Sequence, residues 1–178
     1  MSKFFRRFIG VLMLDAGAFE DVEHDDSAAM QSVAVVSAAC LCGGLAAMGL
    51  GISGIAGLAA GAVIVLGAWL TWVATIAALG TITLPEPQTR SSLPELLRTL
   101  GFAAAPAVFL VFAAMRAAAP FVVALVVLWM IAAAVLGLRQ ALDYRSTARA
   151  VAVCVLGWLV SFAVIASISI LFGQSVSS

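Results

Sequence analysis

Charged residues are scarce in this chain: Lys, Arg, Asp and Glu make up 10% of 178 residues, against about 25% in an average soluble domain. Four stretches, at 27–85, 99–115, 117–138 and 150–178, contain no charge at all. A membrane-spanning helix needs about 20 apolar residues, so the first stretch has room for two spans and each of the others for one. The scarcity of charge therefore excludes a soluble domain and predicts five spans.

Basic runs and suitably spaced cysteines are also lacking. No run of basic residues is longer than two, and the aromatic residues lie in apolar stretches, which argues against a nucleic-acid partner. Of the three cysteines, Cys40 and Cys42 are two residues apart, and Cys154 lies far along the chain. Because residues two apart point about 200° apart around a helix, these two cannot hold one metal ion, and apolar packing is their simplest role.

The first 26 residues begin with a basic, amphipathic stretch. Its apolar stripe contains Phe4, Phe5, Phe8, Ile9 and Leu12, and its polar stripe contains Lys3, Arg6, Arg7 and Gly10. This pattern predicts a helix that lies in the membrane interface, with its cations toward anionic headgroups. Asp15 closes the apolar run early, which argues against a signal peptide.

An acidic segment at 15–26 follows, with six carboxylates and the only histidine, His24. Glu20 lies four residues before His24, so the two side chains would share a helix face and would suit a metal ion or a proton. The alternative is a solvated, acidic segment whose negative charges favour the amino end of the first span. The second interpretation is preferred because it needs no further ligand.

The five spans are predicted near 28–49, 55–80, 101–118, 120–138 and 148–171. The fold class is therefore an all-α membrane bundle with interfacial amphipathic helices at the amino terminus and in mid-chain. Small residues recur every four positions in the first two spans, with Gly43 in one row and Gly57 and Gly61 in another. Such rows let helix backbones approach closely. Across a short hairpin they favour packing within the chain over dimerisation.

The mid-chain amphipathic helix is predicted to begin at Leu93. Ser92 and Glu95 form a capping box there. Leucines at 93, 96, 97 and 100 form an apolar stripe, and Arg98 lies on the polar side. We therefore expect the first two turns at the interface and a kink at Pro106 inside the third span.

The cations orient the bundle. With the amino terminus in the cytoplasm, eight of the nine Lys and Arg residues lie inside and only Arg116 lies outside. The positive-inside rule therefore predicts a cytoplasmic amino terminus and, with five spans, a carboxyl terminus on the outer side.

Several segments carry a resemblance to a known family: 14–27 before the first span, Trp69 and Trp72, the Leu-Leu-Arg-Thr-Leu-Gly-Phe block at 96–102, and Trp129 with 137–142 and 149–150. In these the chain resembles the short, bacterial branch of the Yip domain family, whose name refers to Ypt/Rab GTPases. The resemblance implies a five-helix domain in the bacterial inner membrane with a cytoplasmic amino end. Family members that bind GTPases have a longer amino-terminal region, so that role is not carried over.

The apolar spans argue against chemistry inside the membrane. No carboxylate or histidine lies in the charge-free stretches, so an enzyme or an ion-coupled transporter is not expected. No cofactor is required by the sequence. Trp129 and Trp158 are predicted near mid-depth, either packed in the bundle or lining a groove for lipid, with Thr71, Thr75 or Ser161 accepting their N–H groups.

The preferred function is that of a scaffold or accessory subunit. Its cytoplasmic face would dock a protein partner, such as a membrane-complex subunit or a second copy, or anionic membrane lipid. The contact residues would be Arg6, Arg7, Arg98, Arg139, Arg145 and Arg149. The alternative is transport or scrambling of lipid, or of an apolar small molecule, through a groove between the helices.

Overall fold

A computed structural model describes residues 2–49, 54–80, 92–142, 144 and 146–176. Within these ranges the chain forms seven α-helices and one 3-10 helix and no strand. The α-helices are α1 (Lys3–Leu12), α2 (Ala16–Glu23), α3 (Ala28–Gly49), α4 (Gly54–Ala78), α5 (Leu93–Phe102), α6 (Ala119–Ala141) and α7 (Thr147–Val176), and the 3-10 helix covers Ala105–Ala114. The predicted all-α membrane fold is confirmed.

Five helical segments are long and apolar enough to cross a membrane. They are Ala28–Ala47, Gly54–Ala78, Leu93–Ala114, Ala119–Ala141 and Thr147–Val164. Large apolar side chains such as Val63, Phe121 and Leu128 lie exposed on the outside of the bundle. In water this surface would favour aggregation, whereas in a bilayer it faces lipid tails of the same polarity.

The third span differs from the prediction, which placed one kinked helix over 101–118. The α-helix ends at Phe102, and Pro106 lies in the first turn of the 3-10 helix that begins at Ala105. Proline lacks the N–H that an α-helix would need at this position, and its ring clashes with the carbonyl four residues earlier. The chain therefore changes helix type before the proline.

Helices α3 and α4 pack through small residues. A Cβ added at Gly61 would lie 2.8 Å from the Cα of Gly44 and 2.9 Å from the Cβ of Ala47. Gly43 lies against Val65, and Gly57 is buried in α4. The structure thus brings the Gly43 and Gly61 rows together within the chain, and Gly44, which lies outside both predicted rows, makes the closest backbone approach.

The amino-terminal helices belong to the core. Val11, Phe19 and Val22 are fully buried and join a cluster that includes Leu100 and Leu138. A Cβ at Gly137 would lie 3.0 Å from the Phe19 ring, so α6 leaves room for that ring. Helices α1 and α2 therefore pack against one end of the bundle.

Candidate functional site

Helices α1 and α2 form an antiparallel hairpin. Asp15 caps α2 by accepting a hydrogen bond from the backbone N–H of Gly17 at 3.0 Å, which satisfies a donor that the helix itself leaves free. Because the two helices run in opposite directions, three pairs of residues face each other: Lys3 with Asp25, Arg7 with Asp21, and Gly10 with Ala18. The polar stripe of α1 therefore faces α2.

Arg7 is the buried centre of a charge cluster, which consists of Arg7 and the half-buried Asp21, Asp25 and Gln31. The Arg7 side chain is 0% exposed. Its Nε donates to Asp21 Oδ2 at 3.0 Å, its Nη1 to Gln31 Oε1 at 3.1 Å, and its Nη2 to the Asp21 carbonyl at 3.2 Å and to Asp25. A buried guanidinium needs such complete pairing because an unpaired buried charge is costly.

The prediction that the cations of α1 face lipid headgroups is wrong for Arg7. Lys3 and Arg6 also pair with acids of the following segment, at 3.4 Å to Asp25 and 3.1 Å to Asp21. The acidic segment at 15–26 supplies counter-charges at fixed positions within the chain, and Arg7 is turned inward toward them. The exposed residues of α1 and its end include the apolar Phe5, Ile9 and Met13 and also Lys3 and Arg6, whose side chains are 66% and 65% exposed.

The charge cluster alters the titration of its acids. The hydrogen bonds from Arg7 hold the pKa of the Asp21 carboxyl below its ordinary value. Hydrogen bonds from Ser27 and then from Arg7 hold the pKa of the Asp25 carboxyl well below its ordinary value. Both carboxyls therefore stay ionised under mildly acidic conditions.

His24 contacts the backbone of Glu20 and not its carboxylate. The ring Nδ1 lies 3.0 Å from the Glu20 carbonyl oxygen, and this hydrogen bond raises the pKa of the imidazole. Within the described ranges no three metal-ligating side chains come together. His24 is exposed and forms the carboxyl-terminal cap of α2.

Arg98 is also held inside the protein. Its Nη1 donates to Asp26 Oδ1 at 2.9 Å and its Nη2 to the Glu23 carbonyl at 2.7 Å. Arg98 and Thr99 are buried together with Leu96 and Leu100. The expectation that the polar side of α5 is exposed at the interface is therefore wrong, because α2 covers that side. The capping box of Ser92 and Glu95 is confirmed.

Three of the four remaining predicted contact residues, Arg139, Arg145 and Arg149, lie on or near the segment between α6 and α7, and the fourth, Arg6, lies on α1. Arg139 is half-buried, and its Nε is buried with no hydrogen-bond partner in the described part of the chain. Arg149 is half-buried near the start of α7. Arg145 lies outside the described residues, and Arg6 is 65% exposed. Of the six predicted cations, Arg6, Arg7 and Arg98 are thus paired with acids of the chain, and the Arg98 Nε, like the Arg139 Nε, is buried with no hydrogen-bond partner among the described residues.

An apolar cavity of about 460 Å³ lies between α3, α4, the 3-10 helix, α6 and α7. Small side chains provide the space: Ala39, Gly43, Ala46, Ala47, Gly61, Ala68, Ala104 and Ala107. Large side chains complete the wall, among them Trp69, Trp72, Met130, Trp158 and Phe162. No charged side chain lines the cavity in the described ranges, and the hydroxyl of Ser161 donates to the Gly157 carbonyl at 2.9 Å.

The indole N–H groups mostly bind backbone carbonyls and not the predicted hydroxyls. Trp69 donates to Leu100 at 3.3 Å and Trp72 to Cys154 at 3.4 Å. Trp129 donates to the Leu12 carbonyl at 3.1 Å. These bonds join separate helices. Leu12 and Leu100 lie at the ends of α1 and α5, where a carbonyl is left without a partner in its own helix, whereas Cys154 lies inside α7 and its carbonyl accepts the Trp72 N–H as an additional bond.

The two tryptophans singled out from the sequence have different positions. Trp129 lies outside the cavity lining and stacks on Phe109 with ring centroids 5.3 Å apart. Trp158 lines the cavity beside Trp72, at 5.6 Å. The Trp158 Nε1 is buried with no hydrogen-bond partner among the described residues. The groove interpretation therefore applies to Trp158 and not to Trp129.

No model of a protein family matches this chain, and no curated protein or solved structure matches it either. The likeness to the Yip domain family stays a prediction based on the residues quoted above.

Proposed function

We propose that this membrane protein is not an enzyme and that it binds the hydrocarbon chain of a lipid between its helices. The observation that supports the proposal is the apolar cavity, whose volume of about 460 Å³ is within the range of about 300–1,000 Å³ that is typical of small-molecule sites. An apolar cavity does not hold water well, so filling it with a hydrocarbon chain restores the packing contacts that its walls lack.

The chemistry of the wall selects the ligand. The Ser161 hydroxyl and the N–H groups of Trp69 and Trp72 are already hydrogen-bonded within the protein. A polar ligand group placed there would lose its hydrogen bonds to water and could regain at most one, from the Trp158 Nε1, which has no hydrogen-bond partner among the described residues. Each polar group left unpaired costs about 1–3 kcal/mol or more. The wall therefore favours an apolar chain over a charged headgroup.

The cavity is continuous with the lipid-facing surface. Ile64 of α4 and Phe162 of α7 both line it, and they are 51% and 56% exposed, respectively. Because these helices are membrane spans, the surroundings of both side chains are lipid tails. A chain would therefore enter sideways from the bilayer, without passing through water.

Native mass spectrometry of the protein in mild detergent with added phospholipid tests the proposal. Ala68 lines the cavity, so Ala68→Phe should fill part of it and remove most of the retained phospholipid. Ala74 is exposed on the same helix and lies outside the lining, so Ala74→Phe is the matched control and should retain lipid as the unaltered protein does. Equal lipid retention by the two variants would contradict the proposal.

A second candidate function is docking of a protein partner or anionic lipid at the end of the bundle that carries α1 and α2. The specific observation is Arg139, whose buried Nε has no hydrogen-bond partner in the described part of the chain. An anionic group of a partner would supply one. A pull-down in mild detergent should retain a stoichiometric partner that Arg139→Ala releases and Arg116→Ala does not. A pull-down with no stoichiometric partner would rule against docking of a protein.

We further propose a bacterial inner-membrane location, a cytoplasmic amino terminus and membership of the Yip domain family. The excess of cations at one side supports the orientation, and the quoted segments support the family. A phosphatase fused after Ser178 should be active, since that enzyme works only outside the cytoplasm. An inactive phosphatase beside an active cytoplasmic reporter at the same site would reverse the orientation.

A further inference from the structure

The cavity occupies only part of the length of the bundle, and its depth can be measured along α3. This helix begins at Ala28, directly after the charged segment. Its first lining residue is Val36 and its last is Ala47. At about 1.5 Å per residue, the lining of α3 runs from about 12 to about 28 Å from the end of the bundle that carries α1 and α2.

Helix α6 runs in the opposite direction and gives the same depth. Its lining residues extend from Val123 to Met130, and Arg139 marks its charged end. Met130 lies about 13 Å and Val123 about 24 Å from that end. On α7, Trp158 lies about 14 Å beyond Arg149 by the same measure. The lining thus begins just short of the middle of the bilayer, and most of the cavity lies in the half of the bundle farther from α1 and α2.

The nearer half is filled. Val11, Phe19 and Val22 of the hairpin are packed there with Leu96 and Leu138. Trp72 and Trp158 form the floor between the two halves, with ring centroids 5.6 Å apart, and both line the cavity. A hydrocarbon chain that entered from the nearer leaflet would have to displace this packing, which is dense throughout a protein core.

We infer that the cavity takes an acyl chain of a phospholipid from the leaflet that faces away from α1 and α2. The inference rests on the proposed binding of a hydrocarbon chain. The bilayer hydrocarbon is about 30 Å thick, so the cavity lies mainly at the depth of the acyl chains of that leaflet. The terminal part of such a chain, near the bilayer centre, meets Trp72 and Trp158, and its glycerol end stays at the far surface.

Quenching of tryptophan emission by brominated acyl chains tests the leaflet. The full-length protein is reconstituted in vesicles whose brominated phosphatidylcholine is confined to one leaflet, and protease accessibility of an amino-terminal tag reports its orientation. Bromine near the chain terminus in the far leaflet should quench about twofold more strongly than the same lipid in the near leaflet, because a far-leaflet chain in the cavity brings its bromine against Trp72 and Trp158, whereas the dense packing of the near half keeps near-leaflet chains outside the bundle. Ala68→Phe should abolish the difference, and Ala74→Phe should preserve it.

The outcomes separate the inference from the proposal on which it rests. Stronger quenching from the near leaflet that Ala68→Phe removes would overturn the far-leaflet assignment and leave the binding of a chain in place. Quenching that is equal in all variants, from either leaflet, would overturn both. If Ala68→Phe does not fold, Val127→Phe fills the cavity from α6 and replaces it, with the same expected results.

Discussion

Replacing Arg7 with alanine should release the α1–α2 hairpin from the bundle. The change removes a fully buried guanidinium and leaves Asp21 and Asp25 without their main partner. Breaking a buried pair by removing one member costs about 3–5 kcal/mol. The Asp21 and Asp25 side chains are 35% and 26% exposed, so water solvates them in part. We therefore expect a cost near the lower limit, about 3 kcal/mol.

Amide hydrogen exchange measures this loss of stability in the segment where it occurs. Apart from the bond to Gln31 of α3, the contacts of Arg7 are with the acids of α2 and the segment after it, so the loss should appear mainly as local opening of residues 3–23. At about 1.4 kcal/mol per factor of ten, 3 kcal/mol corresponds to an increase of about 100-fold in exchange of that segment. The measurement is made on protein in lipid nanodiscs, with peptides of α3 and α6 as internal references.

Arg6 provides the matched control. It is the same residue type one position earlier and pairs with the same acid, Asp21, at 3.1 Å, but its side chain is 65% exposed. Exposed ion pairs contribute about 0–1 kcal/mol, so Arg6→Ala should raise exchange about fivefold or less. Similar acceleration in Arg6→Ala and Arg7→Ala would refute the reasoning that burial, and not charge alone, makes Arg7 important.

Two further predictions concern the α3–α4 interface and the charge cluster. Gly61→Leu should lower the free energy of unfolding in detergent by about 1–3 kcal/mol, because the leucine side chain would overlap Gly44. Gly67→Leu is the control, since a Cβ at Gly67 meets nothing within 4 Å, and it should leave the free energy of unfolding unchanged. An equal loss in both variants would contradict the close packing at Gly61. The protection factor of the hairpin amides, which is their exchange relative to that of an unfolded chain at the same pH, should be constant from neutral pH down to about 4, the ordinary carboxyl pKa, and fall below it. Asp21 and Asp25 have a lowered pKa in the folded protein, so their stabilisation is present above the ordinary pKa and is lost as the pH falls through the lowered value. A protection factor that stays constant throughout the acidic range would argue against this stabilisation.

The membrane spans were predictable because a charged side chain in hydrocarbon is so costly that membrane-spanning segments contain almost none. The first span was expected near 28–49, and α3 covers Ala28–Gly49. The capping box of Ser92 and Glu95 was predictable for a similar reason, since all its atoms belong to one short segment. A feature that depends on one local energetic term can therefore be predicted from a single sequence.

The direction of a polar stripe was not predictable in the same way. The period of α1 shows that Arg7 is opposite the apolar stripe, but not whether water, lipid or protein lies on that side. The pairing of Arg7 with Asp21 depends on the turn between the helices, and the burial of Arg98 depends on α2 lying over α5. The cavity likewise depends on how five helices are arranged, because it is space between side chains and no single helix contains it.

The 3-10 helix has a consequence for insertions and deletions. With three residues per turn, Ala107, Leu110 and Ala113 stand in one vertical column, and all three are buried. Removing one residue from Ala105–Ala114 would turn every later side chain of the segment by about 120°. The column would then break, and Val111 would take the buried position of Leu110. The length of this segment is therefore under tighter constraint than the identity of its exposed residues, so alignments of true relatives should show substitutions there but no gaps.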